Sequence, residues 1–140
     1  MPGVGTDDYG THGARDTDVD TVRAIYAAFA RWDLDGMLAH VGPDVEVIAV
    51  GTAQRIGRAE PYRGHDGLRE YFADAARVWD ELTLHADDMR AAAGGVVVFG
   101  HVTGIAGGEP VSRRVIWTWQ VRDGKAVALR VNDLGEITRG

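Results

Sequence analysis

Apolar residues recur at helical spacing in the first half of the chain and at strand spacing in the second. Val22, Ile25, Tyr26 and Phe29 fall at i, i+3, i+4 and i+7, one buried stripe of an amphipathic helix. Thr17 and Asp20 have the spacing of a capping box, so this helix is predicted to begin near Thr17. Leu34, Met37, Leu38 and Val41 repeat the spacing behind Asp33, a candidate N-cap, and Gly42-Pro43 is predicted to end that second helix. Leu68, Tyr71, Phe72, Ala75 and Trp79 mark a third, with His65 and Asp66 as its capping residues. Arg69, Glu70, Asp74 and Arg77 read as its solvated face.

Between the second and third helices, Asp44 to Val50 is β-branched enough for a strand. Gly51 to Gly64 is long and mixed, and reads as a loop or short strand over a pocket mouth. Four strands then follow, Leu82 to Met89, Val96 to Ile105, Val111 to Arg122 and Ala126 to Asp133. Their connections are Gly94-Gly95, Gly107-Gly108 and Asp123-Gly124, the last a strong hairpin signal because both turn positions must accept positive φ. The expected class is α+β, three N-terminal helices packed into a curved, mostly antiparallel sheet. One domain over 17–140 follows a flexible tail over 1–16, which is rich in Gly, Thr and Asp without apolar period.

Composition narrows the function classes. With 140 residues and 45% hydrophobic content, the chain suits one soluble domain with a real core. It has no cysteine, which excludes disulfides, thiolate nucleophiles and cysteine-bound metals. A formal charge of −6 offers no general attraction to nucleic acid or to an anionic membrane. No apolar run reaches the ~18 residues of a membrane span, and the first residues lack a signal peptide's pattern, so a cytoplasmic location is expected.

Strand alternation sorts candidate pocket residues. Val111, Arg113, Val115, Trp117, Trp119 and Val121 share the inward face of their strand. Val127, Leu129, Val131 and Asp133 share a face of the last strand. The strand between Val96 and Ile105 is apolar on both faces, and the bulkier set with Val97, Phe99, His101 and Thr103 is taken as interior. The expected cavity is therefore lined by Tyr26, Phe29, Phe99, Trp117, Trp119 and Leu129, with His101, Asp133 and Arg113 as sparse polar groups. Inward aromatics are more often core-fillers than ligand contacts, and a single inward His is more often a core residue than a reactive one.

Several chemistries drop out. His12, His40, His65, His85 and His101 show no metal-ligand spacing. Gly64-His65-Asp66-Gly67 lacks the Gly-Lys-Ser/Thr of a phosphate loop, and Ser112, the one serine, has no G-x-S-x-G around it.

Two stretches carry a family resemblance: Pro61-Tyr62-Arg63-Gly64-His65-Asp66-Gly67-Leu68-Arg69-Glu70-Tyr71-Phe72, and Arg31-Trp32-Asp33-Leu34-Asp35-Gly36-Met37-Leu38. With the downstream strands they resemble the nuclear transport factor 2-like superfamily, and within it the SnoaL-like and ketosteroid-isomerase-like proteins, from about Asp18 to about Leu134. The resemblance implies a cone-shaped fold enclosing a pocket. It does not carry over the steroid isomerase site. In the register fixed by Asp33-Leu34-Asp35-Gly36 the oxyanion tyrosine falls at Ile25, the general base at Ala49 and the second oxyanion acid at Trp117. Tyr26 points about 100° away from Ile25 around the helix.

The SnoaL-like polyketide cyclases are the nearest enzymatic reading. They imply a cofactor-independent isomerase, cyclase or hydrolase acting on a small apolar or polycyclic molecule, with a buried carboxylate as acid and base. Asp133 and His101 are the pair expected in that role. A non-catalytic domain of the same fold, binding a small apolar ligand or serving dimerisation, is the alternative. A protein-transport scaffold is disfavoured by the lack of an extended exposed aromatic surface. The family commonly pairs sheet to sheet, so a homodimer is expected through an outer face carrying Val98, Gly100, Val102, Ile116 and Thr118.

Overall fold

The computed structural model describes residues 10–137, with side chains from Thr17 onward, Val50 excepted. Residues 1–9 of the expected tail lie outside the described residues. Helix α1 (Gly10–Ala30) runs straight through Thr17, so the Thr17 and Asp20 box does not start it. Asp33 caps α2 (Leu34–Leu38) as its spacing predicts, accepting from the Gly36 N–H at 2.9 Å. Strand β1 (Val41–Ile48) begins earlier than expected and takes in Gly42-Pro43.

The segment read as a loop holds a short helix, α3 (Val50–Arg55), and a two-residue strand, β2 (Tyr62–Arg63). Helix α4 (Gly64–Val78) follows, making four helices where three were expected among the described residues. Neither His65 nor Asp66 caps α4. His65 Nε2 bonds the Val41 carbonyl at 2.9 Å, and Asp66 pairs with Arg69 in the first turn. Asp74, expected on the solvated face, is buried and accepts from Tyr62 Oη at 2.9 Å and from Arg77. A buried carboxylate needs such partners.

Strands β3 (Trp79–Ala92), β4 (Gly95–Ala106), β5 (Glu109–Arg122) and β6 (Lys125–Glu136) form a long meander. The sheet order is β2-β1-β6-β5-β4-β3, and only β1 against β6 is parallel. Asp123 and Gly124 take φ of 53° and 76°, which the two-residue turn between β5 and β6 requires. Register shifts put the extra residues Asp80 and Asp87 into β3 and Val127 and Leu134 into β6. Such bulges bend a strand, and here they curl the sheet around α1 and α4. The fold is thus α+β, with the helices against the inner face of a curved, unclosed sheet. No described helix is long and apolar enough to cross a membrane.

Strand β4 presents the opposite face from the one expected. Val96 pairs directly with Trp119, and Val98 with Trp117. Directly opposed residues share a face, so the small valines lie inside with the tryptophans, and Val98 is fully buried. Phe99 and His101 therefore face outward, Phe99 being 39% exposed. Val98, Gly100 and Val102 cannot belong to the outer surface assigned to a second subunit, and only Ile116 and Thr118 of that set lie there. The inner face of β4 needs its glycines. A Cβ on Gly100 would stand 1.8 Å from the His85 carbonyl oxygen and 2.9 Å from the Trp117 ring, and one on Gly104 would stand 3.1 Å from the Trp79 ring.

Gly100→Ala is accordingly expected to destabilise the protein by about 1–3 kcal/mol, the usual cost of overpacking. Urea denaturation checks this, and an unchanged midpoint would mean that β3 and Trp117 give way freely.

Candidate functional site

The sheet's inner face and the helices leave a cavity of about 90 Å³ between them, open to solvent on one side. Helix α1 contributes Ile25, Tyr26 and Phe29, because those residues form its apolar stripe. From α4 come Leu68 and Tyr71, and from α3 Gly51 and Thr52. The sheet supplies Val47, Trp79, Leu82, Leu84, Val102, Trp117, Trp119, Leu129 and Val131, and Met37 and Ala49 complete the wall.

Five of the nine residues singled out from the sequence line this cavity: Tyr26, Phe29, Trp117, Trp119 and Leu129. The other four do not, for separate reasons. Phe99 lies on the outer face under the Arg90 guanidinium. His101 is on that face too, its Nδ1 2.8 Å from Asp87 Oδ2 and its ring stacked on His85 at 4.1 Å. Arg113 and Asp133 lie beyond the cavity lining and bond each other, Arg113 Nε donating to Asp133 Oδ2 at 2.7 Å. His101 and Asp133 are thus on different faces of the sheet and cannot share a proton.

Asp133 is also in the wrong protonation state for a general acid. Partial burial alone would raise its carboxyl. Hydrogen bonds from Arg113 and from the Gly135 N–H, with the charges of Arg113 and Arg55, hold it below the ordinary aspartate value instead. Arg113 is raised in turn, chiefly by its bond to Asp133.

No carboxylate, imidazole or cation is among the described lining residues. The polar groups there are the hydroxyls of Tyr26, Thr52 and Tyr71 and the indole N–H groups of Trp79, Trp117 and Trp119. Trp119 Nε1 donates to Tyr26 Oη at 3.2 Å, and the Tyr26 ring meets Trp117 edge-on at 5.3 Å. Trp79 Nε1 donates to Thr52 Oγ1 at 3.1 Å. Burial raises Tyr26 well above an ordinary tyrosine; the Trp119 bond opposes this, and Tyr71 adds to it. Tyr71 is raised by burial too, with Thr52 acting in the other direction. Both stay protonated, neutral donors through the physiological range.

Sequence reasoning passed over Tyr71, Thr52 and Trp79. Tyr71 and Trp79 were placed on a helix's apolar stripe, where an aromatic with a polar atom can be a cavity wall as well as packing. Nothing in the sequence singles out Thr52, which α3 alone brings to the cavity.

Residues 22–129 match the family model described as the SnoaL-like domain. No curated protein matches the sequence. Among solved structures, a nuclear transport factor 2-like protein of unknown function from Burkholderia pseudomallei is 25% identical, with a TM-score of 0.76 over 84% of this chain and 90% of that one. TerC, co-crystallised with polyporic acid, is 26% identical, with a TM-score of 0.75 over 84% and 91%. A nuclear transport factor 2-like protein from Burkholderia thailandensis is 27% identical, with a TM-score of 0.73 over 83% and 89%.

The Arg113–Asp133 pair carries a pH signature. A carboxylate whose folded pKa is depressed adds stability above its unfolded pKa, near 4, and loses it as pH falls through the folded value. With Arg113 38% exposed and Asp133 27%, solvent screening keeps the pair within about 1 kcal/mol. Asp133→Asn is expected to lower stability by up to that amount at pH 7, with the gap closing below about pH 4. Thermal unfolding across pH measures it, and a gap that widens in acid would contradict the assignment.

Proposed function

Because the chain belongs to the SnoaL-like domain family, we propose that it is a cofactor-independent enzyme of the isomerase or cyclase type. Its substrate is a small, largely apolar molecule held in the cavity. The observation that carries this reading is the lining itself, aromatic and aliphatic side chains from helices and sheet with a few inward hydroxyls and indole N–H groups. The co-crystallisation of TerC with polyporic acid supports a cavity that accepts an organic ligand in this fold.

Size bounds that substrate. Pockets for drug-sized ligands measure about 300–1,000 Å³, well above this cavity's 90 Å³. A substrate of one ring is the most the cavity encloses, and a larger one extends through the open mouth.

One observation favours the binding-domain alternative. The described lining holds no carboxylate or imidazole to move a proton, whereas general acid–base catalysis needs such a group within hydrogen-bond reach. An enzyme built on this cavity works by polarising its substrate through neutral donors, with water entering at the mouth as proton carrier.

The test uses one- and two-ring aromatic ketones and phenols, followed by quenching of tryptophan fluorescence and by mass spectrometry without added cofactor. Saturable binding with isomerised or cyclised product is expected. Val102→Phe, which fills the cavity from β4, should abolish both while leaving the melting temperature unchanged or higher. Binding throughout the panel without product would favour the binding domain, and absence of any binding would contradict both readings.

A further inference from the structure

At the rim of the cavity a guanidinium is held in place by two of the lining residues. Arg55, in the last turn of α3, lies with its guanidinium 4.8 Å from the centre of the Trp79 ring. Its Nη1 donates at 3.0 Å to the carbonyl of Gly51, about one helical turn earlier. Trp79 and Gly51 both line the cavity, while Arg55 itself is exposed. The Trp79 ring is fixed in turn by its bond to Thr52 and by Gly104, where a Cβ would stand 3.1 Å from it. A cation over an indole face is attracted by the ring's quadrupole. A planar fork held this way loses less rotamer freedom when it takes a partner.

The stack leaves one edge of this guanidinium open. Arg55 Nε and Nη2 share that edge, a two-donor fork that a carboxylate fits side-on. Neither has a partner among the described residues. Arg58, three residues on, shows the contrast: its Nε and Nη2 donate to the Glu60 and Pro61 carbonyls. Arg113, on the inner face beyond the lining, donates through Nε to Asp133, and Glu136 stands opposite it. Asp133 is near enough to feel the Arg55 charge, yet both its oxygens are engaged. Arg113 holds Oδ2, and the Gly135 N–H holds Oδ1 at 2.8 Å. No carboxylate among the described residues lies within ion-pair distance of Arg55.

We infer that Arg55 is a ligand-binding residue that takes a carboxylate side-on from a molecule whose apolar ring lies in the cavity. The inference rests on the cavity being a small-molecule site, and it adds the ligand's class: a one-ring carboxylic acid with a short spacer. The two ends of such a molecule match two environments. The wall is aromatic and aliphatic, and encloses the ring. The charged end stays at the exposed rim, where it keeps part of its hydration, so no charge is buried without a partner. An uncharged ligand of the same shape leaves the Arg55 fork to water.

3-Phenylpropionate and 3-phenylpropanamide test this, since they share a shape and differ in charge at neutral pH. Affinity is read from NMR titration, and contact from the Arg55 Nε–H signal. The native protein is expected to prefer the acid by about 3- to 10-fold, between an exposed ion pair and a charge-assisted hydrogen bond in worth. Arg55→Gln should remove the preference and leave the amide's affinity nearly as it was, which also shows that the cavity has folded. Arg130→Gln makes the same charge change on the outer face, opposite Thr118, and should leave the preference intact. The Arg55 Nε–H signal should move with the acid far more than with the amide. Equal native affinity for the two ligands, or a preference that survives Arg55→Gln, would overturn the carboxylate site and leave the apolar cavity standing. So would an Arg55→Gln variant that weakens both ligands alike, or an equal loss of preference in Arg130→Gln. Failure of both ligands to bind the native protein would overturn the site and the small-molecule reading together.

Discussion

The register between β4 and β5 is the constraint on which the rest of the molecule depends. Set by the turn at Gly107-Gly108, it places Val98 opposite Trp117 and Val96 opposite Trp119. Small and large side chains then alternate across one face, so the indoles reach inward to the helices without a clash between strands. Gly100 and Gly104 extend the pattern, leaving room for the rings of Trp117 and Trp79. A slip of one residue would put Phe99 and His101 where the valines are and close the cavity. The two tyrosines, from α1 and α4, complete a wall whose tryptophans the sheet has already positioned.

No charged side chain is among the described lining residues, though the Arg55 guanidinium stacks on the Trp79 ring at 4.8 Å. The Arg113–Asp133 pair lies past the end of the cavity lining, and the His85, His101 and Asp87 cluster is on the other side of the sheet. Tyr62 and Asp74 satisfy each other behind α4. The described lining is neutral and hydrogen-bonding, and because it is partly shielded from water a few oriented donors act more strongly there than in bulk solvent. It differs from the buried-carboxylate site that the family resemblance implied, and Ile25, Ala49 and Trp117 stand at the steroid isomerase positions.

Much of this was legible in the sequence where one physical signal dominated. The stripe of Val22, Ile25, Tyr26 and Phe29, the Asp33 cap and the Asp123-Gly124 turn fixed their elements because periodicity, capping and positive φ agree there. The family and fold followed from such features together with the quoted motifs. Strand β4 was misread because both its faces are apolar and bulk was used to choose between them. The decisive signal was present nonetheless: counting back from a two-residue turn at Gly107-Gly108 pairs Val98 with the inward Trp117. Helix α3 left no comparable trace. Its six residues, Val50–Arg55, carry too short a pattern to show a period, and Thr52 reaches the cavity only through tertiary packing. Asp133 was correctly assigned to the inner face, but strand parity cannot reveal that Arg113 would hold it.

The central claim is that the cavity presents two neutral, buried tyrosine hydroxyls as its working groups. Carbon NMR of protein labelled at the tyrosine ring carbon bearing oxygen, titrated through alkaline pH and assigned with single Tyr→Phe variants, measures it directly. Tyr26 and Tyr71 are expected to remain protonated above pH ~10, where a solvated tyrosine is half ionised. Ionisation of either at or below that pH would contradict the account, since it would mean a hydroxyl open to water or stabilised as an anion.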